Sequence, residues 1–84
     1  MLKIPRNLSG RKLATLLNKY DYIITRQTGS HIRLTSNYKG ILHHITIPDH
    51  TPIKIGTLSH ILKDIADYLK MDKNVFISEL LGED

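Results

Sequence analysis

Apolar positions recur along this chain at two spacings, one helical and one alternating. Leu13, Leu16, Leu17 and Tyr20 fall on one face of a helix, at the intervals of three and four that bring side chains to one side. Ser9 stands where an N-cap belongs, with a hydroxyl to accept a free N–H of the first turn. Arg11, Lys12 and Lys19 lie off the stripe and are expected to face solvent or a ligand. Tyr22 to Thr28 is rich in β-branched residues and predicts a strand, which Gly29 interrupts. From His31 to Thr35 the pattern alternates, with Ile32 and Leu34 on one side and His31, Arg33 and Thr35 on the other.

Asn37-Tyr38-Lys39-Gly40 predicts a turn, after which a strand returns through Leu42 to Ile47, with Ile45 and Ile47 opposed to His44 and Thr46. Pro48 ends it, because proline has no N–H to give to a ladder. A loop with Pro52, Lys54 and Gly56 follows. Thr57 is then expected to cap a second helix carrying Leu58, Ile61, Leu62, Ile65 and Leu69 as its apolar stripe. Asp72 caps a short last helix that turns Phe76 and Leu80 inward. The order is αβββαα. Consecutive strands joined by short turns predict an α+β fold, a three-stranded antiparallel sheet with the helices packed on its Ile32/Leu34/Ile45/Ile47 face and the other face open.

A tight turn would set Ser36 near Ile41, Arg33 across from His44 and His31 across from Thr46. A slip of two residues would change those partners but not the faces, because side chains alternate with period two. The first strand is less determined. Tyr22 and Ile24 inward would carry Arg26 inward too, unless a bulge or the sheet edge releases it.

Charge adds to this picture. The formal net charge is +4, yet residues 1–63 hold ten Lys or Arg against only Asp21 and Asp49, while residues 64–84 hold Lys70 and Lys73 against six acids. A body this basic creates a positive potential suited to a polyanion, and nucleic acid is the foremost candidate. A chain of 84 residues, 40% hydrophobic and 24% charged, suits one small domain with a thin core. Its longest strictly apolar run is three residues, so no membrane span is expected, and no secretory signal is visible. It has no cysteine, which excludes disulfides and thiolate chemistry and fits the cytoplasm.

Most catalytic constellations are missing. His43 and His44 are neighbours in a strand and diverge, His50 lies in a loop, and His60 has only Asp64 one turn on, so scattered surface histidines outweigh a zinc site. The clustered carboxylates of a two-metal nuclease are absent from the basic body, as are nucleophile-elbow and glycine-rich phosphate motifs. What remains for chemistry is imidazole among cations.

Arg26-Gln27-x-Gly29-Ser30-His31, the strand ending at Pro48, Pro52-Ile53-x-Ile55-Gly56-Thr57-Leu58 and the closing Phe76-Ile77-x-Glu79-Leu80-Leu81 together resemble the HicA family of toxins from toxin–antitoxin modules. The likeness spans residues 7–81 and leads us to expect one HicA-like domain over 1–84, with 70–84 a short acidic C-terminal helical extension. Its αβββα frame is similar to that of double-stranded-RNA-binding domains. The resemblance implies an endoribonuclease, an mRNA interferase that cuts messenger RNA with the histidine of its Gly-Ser-His motif, here His31, and is neutralised by a HicB-type antitoxin. Ile32 stands where a second histidine or a polar residue is frequent.

A scheme without metal or other cofactor is expected. His31 would take the proton of a ribose 2′-hydroxyl, since imidazole ordinarily titrates near pH 6.5. Arg33, Lys54 and Arg26 would hold phosphate charge, with free N–H groups near Gly56 and Thr57 as a further anion site. Gly29 and Ser30 complete the expected RNA-binding set; Gly29 serves either close backbone approach to RNA or an ordinary hairpin turn. The rival readings are a non-catalytic module binding double-stranded RNA by shape, which would want a more basic second helix, and an interaction protein docking an acidic partner.

Overall fold

Ser9 caps the first helix as its position predicts. In the computed structural model, which describes residues 4–82, Ser9 Oγ accepts the Lys12 N–H at 3.1 Å. The pattern predicts one helix as far as Tyr20. Instead α1 (Gly10–Leu16) tightens into a 3-10 turn, Leu17–Tyr20, that stops on Asp21 at φ 64°. Residues three apart eclipse in a 3-10 turn, so Leu17 and Tyr20 enter the core together.

Strands β1 (Ile23–Thr28), β2 (His31–Ser36) and β3 (His43–Pro48) form an antiparallel sheet in the order β1-β2-β3. Leu34 pairs with Ile45 and Ile32 with Ile47, and all four are buried under the helices, as the alternation predicts. The register, however, slips by two residues from the tight-turn expectation. Arg33 lies opposite Thr46, not His44, and His31 opposite Pro48, not Thr46, because Ser36 pairs with His43 rather than sitting near Ile41. Loop length is the cause. Asn37 O accepts the Gly40 N–H at 3.0 Å to close the expected turn, but Ile41 and Leu42 extend it before β3 begins. Tyr68 Oη pins this longer loop, accepting the Lys39 N–H at 3.0 Å and donating to Ile41 O at 2.5 Å.

The first strand resolves through a bulge. Ile24 pairs with Leu34 and Arg26 with Arg33, so two residues of β1 face one step of β2. Tyr22 is buried just before the strand, whereas Ile24 on the edge stays 46% exposed and Arg26 is released to the open face.

Helix α2 (Ile55–Leu69) starts before Thr57, which the sequence marks as its cap. Lys54 is the N-cap, without a side-chain bond, and its carbonyl accepts the Leu58 N–H at 2.9 Å. Ile53 and Leu58, both buried, hold the positions of a hydrophobic staple that sets the chain's entry without a polar cap. The predicted stripe of Leu58, Ile61, Leu62, Ile65 and Leu69 is buried throughout. Asp72 Oδ1 accepts the Asn74 and Val75 N–H groups at 2.9 and 3.1 Å, capping α3 (Lys73–Leu81), and Phe76 and Leu80 point inward. The αβββαα order holds, on the frame of a double-stranded-RNA-binding domain. Among the described residues no helix is long and apolar enough to cross a membrane.

Candidate functional site

Alternation and pairing sort the open face of the sheet into three rows. Thr28, His31 and Pro48 form the row beside the β1–β2 turn; Arg26, Arg33 and Thr46 form the middle row; Ile23, Thr35 and His44 form the far row. Along β2 the rows stand about 6.6 Å apart, the rise of two residues.

The Gly29-Ser30 turn creates the first row. Thr28 pairs directly with His31, leaving a two-residue connection whose first residue has φ +57°. Hairpin turns that fit the strand twist ask for positive φ at this position, which glycine adopts freely. Ser30 O accepts the Asp49 N–H at 2.7 Å, tying the turn to the end of β3. Asp49 Oδ2 also accepts from Arg11 Nη2 at 3.2 Å and from Gln27 Nε2 at 3.4 Å, while Arg11 donates to Gln27 Oε1 at 2.8 Å. Arg11 is therefore committed to bracing α1 against the sheet. Sequence spacing gives no sign of this link between residues 11, 27 and 49.

His31 is exposed, and no side chain among the described residues bonds its ring. Arg33, half-buried, and Arg26, exposed, face each other in the neighbouring row. The ion pairs among the described residues are Arg11–Asp49, His43–Asp64 and Lys63–Asp67, so neither of these guanidiniums has a carboxylate. Like charges directly opposed across strands repel, and a bound anion would relieve them. The structure thus brings His31, Arg26 and Arg33 onto one face beside Gly29 and Ser30. Lys54 is not on that face: it caps α2 in the helix layer, exposed, with the free N–H groups of Ile55, Gly56 and Thr57 next to it.

The adjacent histidines diverge as expected. His44 lies on the open face with Nδ1 2.8 Å from Thr35 Oγ1. His43 turns toward the helices, stacks on Tyr68 with ring centroids 4.5 Å apart, and bridges Tyr22 Oη at 2.6 Å and Asp64 Oδ1 at 3.2 Å. Among the described residues no three His, Asp or Glu side chains are grouped to hold a metal ion.

An αβββα frame with one sheet face cationic and uncovered defines a small α+β domain whose candidate working surface is the sheet itself. The chain belongs to the HicA toxin family: the family described as HicA toxin of bacterial toxin–antitoxin matches residues 10–66. The match runs from α1 into α2 and takes in every candidate residue named above. Membership makes the chain a toxin-family protein of toxin–antitoxin modules and implies an antitoxin partner. No curated protein and no solved structure matches it.

Proposed function

We propose that this protein is a metal-independent endoribonuclease, an mRNA interferase of the cytoplasm, and that a HicB-type antitoxin silences it by covering the open sheet face. His31 accepts the proton of a ribose 2′-hydroxyl as that oxygen attacks the adjacent phosphorus. The bond from phosphorus to the 5′-oxygen breaks, the leaving oxygen takes a proton from water, the hydroxide left behind takes the proton held by His31, and the ends are a 2′,3′-cyclic phosphate and a 5′-hydroxyl. Arg26 and Arg33 hold the charge that grows on the phosphoryl oxygens. Lys54 and the α2 N-terminus take a neighbouring phosphate. Gly29 and Ser30 keep the approach to His31 low.

The observation that carries this reading is an exposed, unpartnered imidazole one row from two opposed guanidiniums that lack a carboxylate among the described residues. One positioned base contributes roughly 100- to 10,000-fold, so a slow enzyme is expected. The same uncompensated cations suit an acidic antitoxin.

The test is to incubate RNA with purified protein in excess chelator and analyse the new ends. Cyclic phosphate ends are expected from the wild type and none from His31→Gln, which should still bind RNA. Chelator-sensitive cutting would remove the metal-free scheme, and undiminished cutting by His31→Gln would remove His31. Salt-sensitive binding with no cutting would favour the non-catalytic RNA-binding module. That reading wants a basic α2, where Lys63 is instead tied to Asp67 at 2.9 Å.

A further inference from the structure

The far end of the open face holds a feature that neither the histidine nor the arginines use. Ile23 and Leu42, 60% and 61% exposed, wall a depression of about 420 Å³ whose polar lining includes Thr25, Thr35, Asn37 and Asp21. Apolar walls with a few convergent polar groups are the usual form of a small-ligand site. The polar groups include hydroxyls, two amides and a carboxylate, Asn18 being the second amide. Thr25 Oγ1 reaches Thr35 Oγ1 at 3.0 Å, a contact in which either hydroxyl can donate, and Arg33 O at 3.5 Å. Thr35 Oγ1 also lies 2.8 Å from His44 Nδ1, so both hydroxyls are already engaged within the face. Asp21, one of two acids in residues 1–63, adds a carboxylate, and the Asn37 amide supplies donors.

The depression continues the cationic track. Four residue steps along β2, about 13 Å of strand, separate His31 from Thr35. Arg33 lies midway with Arg26 opposite it. Histidine, arginine pair and depression thus stand at even intervals suited to successive units of an extended nucleotide chain. We infer that the depression is a guanine-binding subsite, two nucleotides from the phosphodiester at His31, for single-stranded RNA lying along β2. This rests on the ribonucleic-acid reading above. Unpaired bases are recognised through their Watson–Crick edges. Guanine alone presents two adjacent N–H donors there, which suit a carboxylate, beside a carbonyl oxygen for the Asn37 amide. Uracil offers one donor between two acceptors, and adenine and cytosine turn a ring-nitrogen lone pair toward the acid.

The test uses the wild-type protein and 2′-O-methyl pentanucleotides, which lack the attacking hydroxyl and remain intact. One oligomer is all uridine, and the others carry a single guanine, adenine or cytosine at each position in turn. The expected result is about tenfold tighter binding for guanine at one position only, within the range for a bidentate base contact. Asp21→Asn, which suits the left-handed φ at this residue, should erase that preference, and Leu42→Ala in the exposed loop should weaken it. Equal binding of guanine and uridine oligomers overturns the subsite but leaves the RNA reading standing, as does a guanine preference that survives Asp21→Asn. Failure of every oligomer to bind overturns both.

Discussion

Arg26 and Arg33 sit directly opposite each other across β1 and β2, with a bulge at Thr25 as the cause. Without the bulge, strict alternation from Ile24 would turn Arg26 toward the core face. With it, two guanidiniums share one row and no carboxylate among the described residues. Removing either should weaken RNA binding and reduce its salt dependence. For a single-stranded oligomer the slope of log K against log salt should become shallower by about 0.7 for each phosphate that is no longer neutralised. Thermal stability of Arg26→Ala should hold or rise, since an opposed like-charge pair costs some tenths of a kcal/mol. A drop in affinity with an unchanged salt slope would show that the pair binds something other than phosphate.

Gly29 separates two roles that its sequence leaves joined. Its φ is +57°, and a Cβ placed there would meet nothing within 4 Å, so the fold needs its backbone freedom and not its small size. Gly29→Ala should therefore cost about 1–2 kcal/mol in urea denaturation, and Gly29→Asn less, because asparagine tolerates the left-handed region. Because a side chain there would raise the approach to His31, RNA cleavage by a stable Gly29→Asn should fall below that of the wild type. Cleavage equal to the wild type would show that glycine serves only the turn.

Gly10 is constrained by space instead. A Cβ on it would run into the Pro48 carbonyl oxygen, and its N–H donates to His50 O at 3.0 Å. The start of α1 is thus pressed onto the end of β3, where Pro48 pairs with His31. Gly10→Ala should lower stability by about 1–3 kcal/mol, the usual cost of overpacking a close approach. In urea this should read as a lower midpoint with an unchanged slope. A neutral substitution would mean that α1 can lift away from β3 without cost.

These positions show where the sequence is explicit and where it is silent. Ile32, Leu34, Ile45 and Ile47 declare their face by alternation, α2 declares its stripe by helical period, and Ser9 and Asp72 declare their caps by chemistry. Each signal lies within one element. His31 and Arg33 were legible on the open face for the same reason, since faces survive a register slip of two. What was not legible needs knowledge of two distant segments at once. The six-residue loop 37–42 is set partly by Tyr68 from α2, and with it the pairing of His31 with Pro48. The Thr25 bulge that frees Arg26, the Asp49 brace on Arg11 and the tight fit of Gly10 are likewise tertiary. Thr57 misled because a buried Ile53 allows α2 to begin at Ile55 without a side-chain cap.

Tyr20 and Tyr22 give the fold a pH limit on the alkaline side. Burial, first of all, pushes both phenols well above the usual tyrosine range. For Tyr20 its hydrogen bond to Glu79, the Glu79 charge and Tyr38 add to this; for Tyr22, Tyr68 and Asp64 do. Tyr22 also has a structural task. Asp64 only accepts, so His43 Nε2 carries the proton at that 3.2 Å contact, and in the neutral ring Nδ1 then accepts from Tyr22 Oη at 2.6 Å. Above the ordinary phenol pKa of about 10 the unfolded chain releases protons that the folded chain retains, so stability falls as pH rises. The phenols' contribution is intact below that pH and is lost progressively above it. Urea denaturation between pH 8 and 11.5 should show a steep decline in the wild type and a shallower one in Tyr20→Phe and in Tyr22→Phe. Tyr22→Phe should also start lower at pH 8, by about 1 kcal/mol, for the acceptor it leaves unpaired on His43. Parallel pH curves for the wild type and both variants would show that these phenols ionise as freely in the folded chain as in the unfolded one.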